Sequence, residues 1–205
     1  MATGKFYSVI RAIGSAIVHL LFRINVEGRE NIPKNGGYIL CCNHTHFTDV
    51  AWLVVETHQP VCFMAKQELF KNKLLAYLLK KLGAFPVARG TGTGATAAIH
   101  VAEKLVNSGN VLGIFPEGTR NPEGRPKAAK SGVAVIANST GADVLPVSVY
   151  YDGKMSLFKK VTLNIGKLIP NSELKMEEVN RSELKRVSSH IMDRIISQWE
   201  AGHCE

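Results

Sequence analysis

The chain has 205 residues and few of the features that would place it at once. It holds only four cysteines, Cys41, Cys42, Cys62 and Cys204, with no C-x-x-C pair and no spaced framework. That excludes a disulfide scaffold and a cysteine zinc site, and leaves buried free thiols as the reading. No Gly-x-Ser-x-Gly elbow is present, so the serine mechanism of an α/β-hydrolase has no support. The GTGTG run at 90–94 lacks the Lys-Ser/Thr of a phosphate loop, and Ala95 breaks a GxGxxG pattern. Repeats and low-complexity tracts are missing. Aromatic residues are sparse at 7% and are not interleaved with the basic ones, and no nucleic-acid motif stands out. No nucleic-acid partner is therefore expected.

What remains is a single-domain length with 45% apolar residues and a net charge of +8. A basic surface selects anionic partners such as anionic lipid or phosphorylated small molecules. Phe6 to Phe22 is largely apolar but spans roughly 17 residues, the lower limit for a membrane crossing. Phe6, Val9, Ile10, Ile13, Ala16, Ile17, Leu20, Leu21 and Ile24 recur at helical spacing; Ser8, Arg11, Ser15, His19 and Arg23 form the opposite stripe. Arg11 at a bilayer centre would cost about 2.5–3.5 kcal/mol. A helix lying in the membrane interface keeps the polar stripe wet and is preferred; a helix packed on the domain and a true span are the alternatives.

Beyond it, short β-type runs alternate with helical patterns. Strands are expected over 38–42, 61–65, 111–115, 143–150 (interrupted by Pro146) and 161–165. Helices are expected over 50–56, 68–82, 95–106 and 128–138, and from Asn180, where Glu183 three residues on resembles a capping box. The helix over 68–82 sets a broad apolar side against Lys71, Lys73, Lys80 and Lys81, which suits either anionic lipid or plain solvent. The alternation predicts an α/β fold, a mainly parallel or mixed sheet flanked by helices, with chemistry on the loops that follow strand ends.

Two such loops are polar. The first is Asn43-His44-Thr45-His46-Phe47-Thr48-Asp49. On one helix, residues five apart point about 140° away from each other, so His44 and Asp49 meet only if the chain turns between them. A strand–loop–helix junction permits that. The carboxylate would then fix the imidazole tautomer and leave the other nitrogen to accept a proton from an alcohol. Asp49 as a simple helix cap, or His44, His46 and Asp49 as metal ligands, remain open on spacing alone. The second loop is Phe115-Pro116-Glu117-Gly118-Thr119-Arg120, which presents an acid, a hydroxyl and a guanidinium suited to phosphate. A tight turn with a surface ion pair is the plain alternative. A third run, Gly83-Ala84-Phe85-Pro86-Val87-Ala88-Arg89-Gly90, puts Arg89 after a β-type segment.

In this order, NHTHFTD, FMAKQELF, GAFPVARG, FPEGTR and VLPVSV, from residue 43 to 149, resemble the blocks of the glycerolipid acyltransferases, specifically the lysophosphatidic acid acyltransferases. The resemblance implies His44 as general base and Asp49 as its partner, with Arg89, Glu117, Gly118, Thr119 and Arg120 binding the acceptor. It implies transfer of an acyl group from acyl-CoA or acyl carrier protein to the sn-2 hydroxyl of lysophosphatidate, giving phosphatidate, with no metal or organic cofactor. Acylation of glycerol-3-phosphate or another lysophospholipid, and thioester hydrolysis by the same pair, are the alternatives. On this basis residues 1–30 are expected to form an amphipathic membrane-associating segment and 31–205 the acyltransferase domain, peripheral on the cytoplasmic face of the cell membrane. His46 and Asn121 stand where the family usually has Ser, and the Asp that often follows the second block is replaced by small residues.

Overall fold

The computed structural model describes residues 5–57, 59–87 and 92–203. A seven-stranded sheet runs through the molecule in the order β1-β7-β6-β2-β5-β3-β4. The strands are β1 (Arg23–Glu27), β2 (Ile39–Cys42), β3 (Val61–Lys66), β4 (Phe85–Val87), β5 (Val111–Ile114), β6 (Val144–Tyr150) and β7 (Lys160–Ile165). β6, β2, β5, β3 and β4 are mutually parallel; β7 runs antiparallel to β6 and carries β1 parallel to itself. The sheet is therefore mixed, as expected, with a parallel centre.

The central strands are continuous apolar runs because both of their faces are covered. Every residue of β2 is buried. Helices α1 (Lys5–Leu21) and α2 (Asp49–Glu56) belong to one side, where Trp52, Leu53, Leu145 and Leu163 form the core. On the other side α4 (Gly92–Asn107), α5 (Gly132–Thr140) and α7 (Arg181–His203) pack through Ala102, Ile136, Ile191 and Ile195. Each such buried Leu or Ile contributes about 1.5–3 kcal/mol from apolar burial. The short α6 (Asn171–Leu174) buries Leu174 in the same layer.

Several expectations change in detail. Pro146 does not interrupt β6, because the β6–β7 ladder begins only at Val147 opposite Ile165 and the missing N–H falls at its end. The helix expected over 68–82 breaks into a 3₁₀ turn, Gln67–Phe70, and α3 (Lys73–Lys81). Asn72 makes the break: its backbone is extended and its side chain accepts from the Leu74 and Leu75 N–H groups, capping α3. At α7, Asn180 accepts from the Glu183 N–H, but the Glu183 carboxylate turns to Arg186, so only half of a capping box forms.

The largest revision is at the N-terminus. The helical periodicity extends to Ile24, whereas α1 ends at Leu21 and Ile24 lies in β1. Arg11, expected on a wet stripe, instead donates from Nη1 to the carbonyls of Val55 (3.0 Å) and Thr57 (3.3 Å) at the end of α2. His19 Nε2 lies 3.2 Å from the buried Glu56 carboxylate, which also pairs with Arg29. The polar stripe of α1 thus faces α2 in part, and Val9, Ile13, Ile17 and Leu20 face outward. Leu20 is 73% exposed. No helix among the described residues is long and apolar enough to cross a membrane.

Candidate active site

β2 and β5 are adjacent and parallel, so the loops leaving their C-terminal ends meet. The Asn43 side chain begins the first loop by extending the sheet. Its Nδ2 donates to the Val149 carbonyl (2.9 Å) and its Oδ1 accepts from the Val149 N–H (2.8 Å). This fully buried amide replaces a pair of ladder bonds and fixes where the chain leaves β2.

The chain then turns, and His44 Nδ1–H donates to Asp49 Oδ2 at 2.8 Å. The same oxygen accepts from the N–H groups of Thr45 (2.7 Å) and His46 (2.9 Å), and Thr45 Oγ1 approaches Oδ1 at 3.4 Å. Asp49 is the first residue of α2, not its cap; the carboxylate gathers donors from the loop that precedes it. It is wholly buried, while the His44 side chain remains 16% exposed. A carboxylate can only accept, so Nδ1 carries the hydrogen, and in the neutral imidazole the lone pair is then on Nε2. The imidazole lies flat on Phe115, with centroids 4.0 Å apart and planes at 18°, and Phe115 in turn stacks on Phe63. Gly113 makes room for that stack: a Cβ there would stand 2.3 Å from the Phe63 ring.

The second loop clamps the first. The His44 N–H donates to Glu117 Oε1 (2.9 Å), and the Asn121 N–H donates to the His44 carbonyl (2.7 Å). Glu117 Oε2 accepts from the Lys127 N–H (3.0 Å), so both carboxylate oxygens are taken by backbone. Burial pushes the Glu117 carboxyl above the usual range, although the two N–H donors and nearby His44 pull the other way. Gly118 adopts φ 70°, the left-handed turn that glycine tolerates, with its N–H bonded to the Phe115 carbonyl and the Lys130 side chain lying across it. Thr119 and Arg120 are exposed, and among the described residues Arg120 has no ion-pair partner. The surface ion pair considered for this turn is therefore not formed by its arginine. Arg89 lies outside the described residues.

His46 turns its Nδ1 to Thr48 Oγ1 (2.9 Å). Among the described residues no three His, Cys, Asp or Glu side chains are gathered as a metal site would need. The residues that sequence reasoning missed are Asn43, Phe115 and Asn121, which hold His44, and Lys130, which adds a cation beside the turn. Asn43 and Phe115 stood inside the motifs with no role of their own assigned; Asn121 was marked only as a departure from the family, and Lys130 carried no distinguishing signal.

A family model described as Acyltransferase matches residues 23–150, more than half of the chain. The chain belongs to the acyltransferase family. This acyltransferase is 37% identical over 148 residues to a 1-acyl-sn-glycerol-3-phosphate acyltransferase of Bacillus subtilis, covering 70% of this chain and 71% of that protein. It is 30% identical over 181 residues to the protein of the same name from Borreliella burgdorferi, covering 87% and 72%. Among solved structures it resembles the 1-acyl-sn-glycerophosphate (LPA) acyltransferase PlsC of Thermotoga maritima, with a TM-score of 0.78 at 26% identity over 97% of this chain and 80% of that one.

Proposed function

We propose that this acyltransferase moves a fatty acyl group from acyl-CoA or acyl carrier protein to the sn-2 hydroxyl of 1-acyl-sn-glycerol-3-phosphate, giving phosphatidate. One observation carries the reading. The His44–Asp49 pair, with Nε2 free to act, opens beside a turn that presents Arg120 and Lys130. The names of the relatives supply the substrate class.

In this reading Nε2 takes the hydroxyl proton as the oxygen attacks the thioester carbonyl. Asp49 stabilises the imidazolium. The carbon–sulfur bond breaks, the imidazolium returns the proton to the leaving sulfur, and an ester and a free thiol result. A positioned base of this kind contributes about 10²–10⁴ in rate. Arg120, with Arg89 and Thr119, holds the acceptor phosphate. Glu117 and Gly118 act by shaping the turn and by holding the His44 backbone. The chemistry asks for no metal or organic cofactor.

The enzyme works as a peripheral protein on the cytoplasmic membrane face, the side that holds its thioester donors. Support comes from the outward apolar stripe of α1 and from α3, whose Leu74, Tyr77 and Leu78 are exposed beside Lys80 and Lys81. Phe47, at the tip of the His44 loop, is 67% exposed.

The test is thiol release from either donor with lysophosphatidate or glycerol-3-phosphate, products identified by mass spectrometry. Phosphatidate formed only from lysophosphatidate supports the proposal. Thiol release without acylated product would replace it with thioester hydrolysis.

A further inference from the structure

Residues 152–159, between β6 and β7, have no role in the chemistry above. Leu157 and Phe158 at the tip are each 62% exposed. Phe158 is the only described non-glycine residue with positive φ, at 61°. An aromatic residue is uncommon in that conformation, and water does nothing to favour it there. The Phe158 N–H donates to the Leu21 carbonyl at 2.7 Å, which ties the tip to the last turn of α1, next to Leu20. The apolar stripe of α1 therefore continues onto this loop. Behind the tip lies a cavity of about 440 Å³ whose lining includes Tyr150, Asp152, Ser156, Lys159, Lys160 and Thr162. Lys154 adds a further positive charge to the loop, and among the described residues none of the three lysines is paired with an acid.

We propose that this loop is a second membrane-docking element, selective for anionic phospholipid. Leu157 and Phe158 enter the interface, and the cavity beneath them takes the phosphate of a lipid headgroup between Lys159 and Lys160. Apolar tip, adjoining apolar helix and unpaired lysines around a cavity are together complementary to an anionic bilayer surface. Asp152 opposes the lysines at one wall and is outnumbered. The inference rests on the reading that the enzyme works at a membrane surface.

The experiment is co-sedimentation of the full chain with phosphatidylcholine vesicles that contain or lack phosphatidylglycerol. Three variants are compared: Phe158→Gly, Lys159→Gln with Lys160→Gln, and Ile13→Ser with Ile17→Ser on α1. Glycine adopts the Phe158 backbone without strain, so Phe158→Gly removes the ring and leaves the fold intact. It should weaken binding to both vesicles about tenfold. The lysine variant should lose about fivefold per lysine, and only on vesicles with phosphatidylglycerol. Both should keep wild-type turnover on detergent-dispersed substrate. If the loop variants bind as wild type while the α1 variant is released, the loop proposal falls and the membrane reading stands. Wild-type protein left in the supernatant with every vesicle would overturn both. Equal binding to the two vesicles, with saturable binding of inorganic phosphate that the lysine variant abolishes, would make the cavity a soluble-phosphate site and overturn the lipid as its occupant.

Discussion

Asp49 Oδ2 receives three donors and Oδ1 only the Thr45 hydroxyl. An asparagine can reproduce that set: its oxygen takes the Oδ2 position and its NH₂ donates to Thr45 Oγ1. Asp49→Asn should therefore keep the fold while losing the charge that supports an imidazolium, and turnover should fall by up to about 10⁴. Activity within about threefold of wild type, with an unchanged melting curve, would remove the assigned role. Glu117 behaves differently because burial raises its pKa. A carboxyl whose folded pKa lies above its unfolded value binds more protons in the folded state, so its favourable contribution is complete at low pH and is lost as pH rises. The stability of wild type relative to Glu117→Gln should decline from about pH 4.3 upward through the folded pKa. Denaturant melts of both proteins across that range would show a flat difference if the carboxyl were unperturbed. Arg120→Ala should raise KM for the acceptor and leave that for the donor unchanged; steady-state kinetics with each substrate varied would show the opposite if the guanidinium served the thioester. At this scale the His44–Asp49 contact was open on spacing alone, where a helix cap fitted as well, and it was the resemblance of the whole motif series that singled the pair out; the turn that lets them meet is in the structure. Asn43 was hidden because an amide that mimics a β-ladder looks like any polar residue after a strand.

Among the elements, α1 teaches most about what a pattern reveals. The two stripes were visible; which one faced the protein was not. Nothing local marks Arg11 as the partner of carbonyls more than forty residues away, where it satisfies the open end of α2. Arg11→Ala should cost about 1–2 kcal/mol of stability by leaving those carbonyls without their partner. Vesicle binding should persist, and a variant that melts normally would return Arg11 to a solvent role. β1 was missed although Arg-Ile-Asn-Val-Glu alternates with a strand's period, and its exposed and half-buried residues follow that alternation. Ile24 happened to fit both periods, and the helix claimed it first. The central strands were read well because burial on both faces leaves only apolar residues to choose from, and the break at Asn72 was missed because a cap inside an amphipathic run leaves the periodicity almost intact.

For the molecule as a whole, the net charge of +8 and the outward apolar residues would, on the proposed membrane reading, be two separable sources of affinity for a lipid surface. Raising ionic strength from about 0.1 to 1 M shortens the Debye length from about 10 to 3 Å. The preference for anionic vesicles should vanish over that range while a salt-resistant fraction remains, and complete release by salt would show that the apolar surface contributes nothing. The order of the sheet has a separate consequence in time. Among the described residues β1 pairs only with β7, Arg23 meeting Lys160, so this edge of the sheet cannot close until Lys160 and the strand it opens have been made. Through most of synthesis α1 is present without the strand pairing that later fixes its base. On the proposed membrane reading, α1 would be available to a lipid surface before the sheet edge that fixes its base is complete, and docking would precede the end of folding rather than follow it.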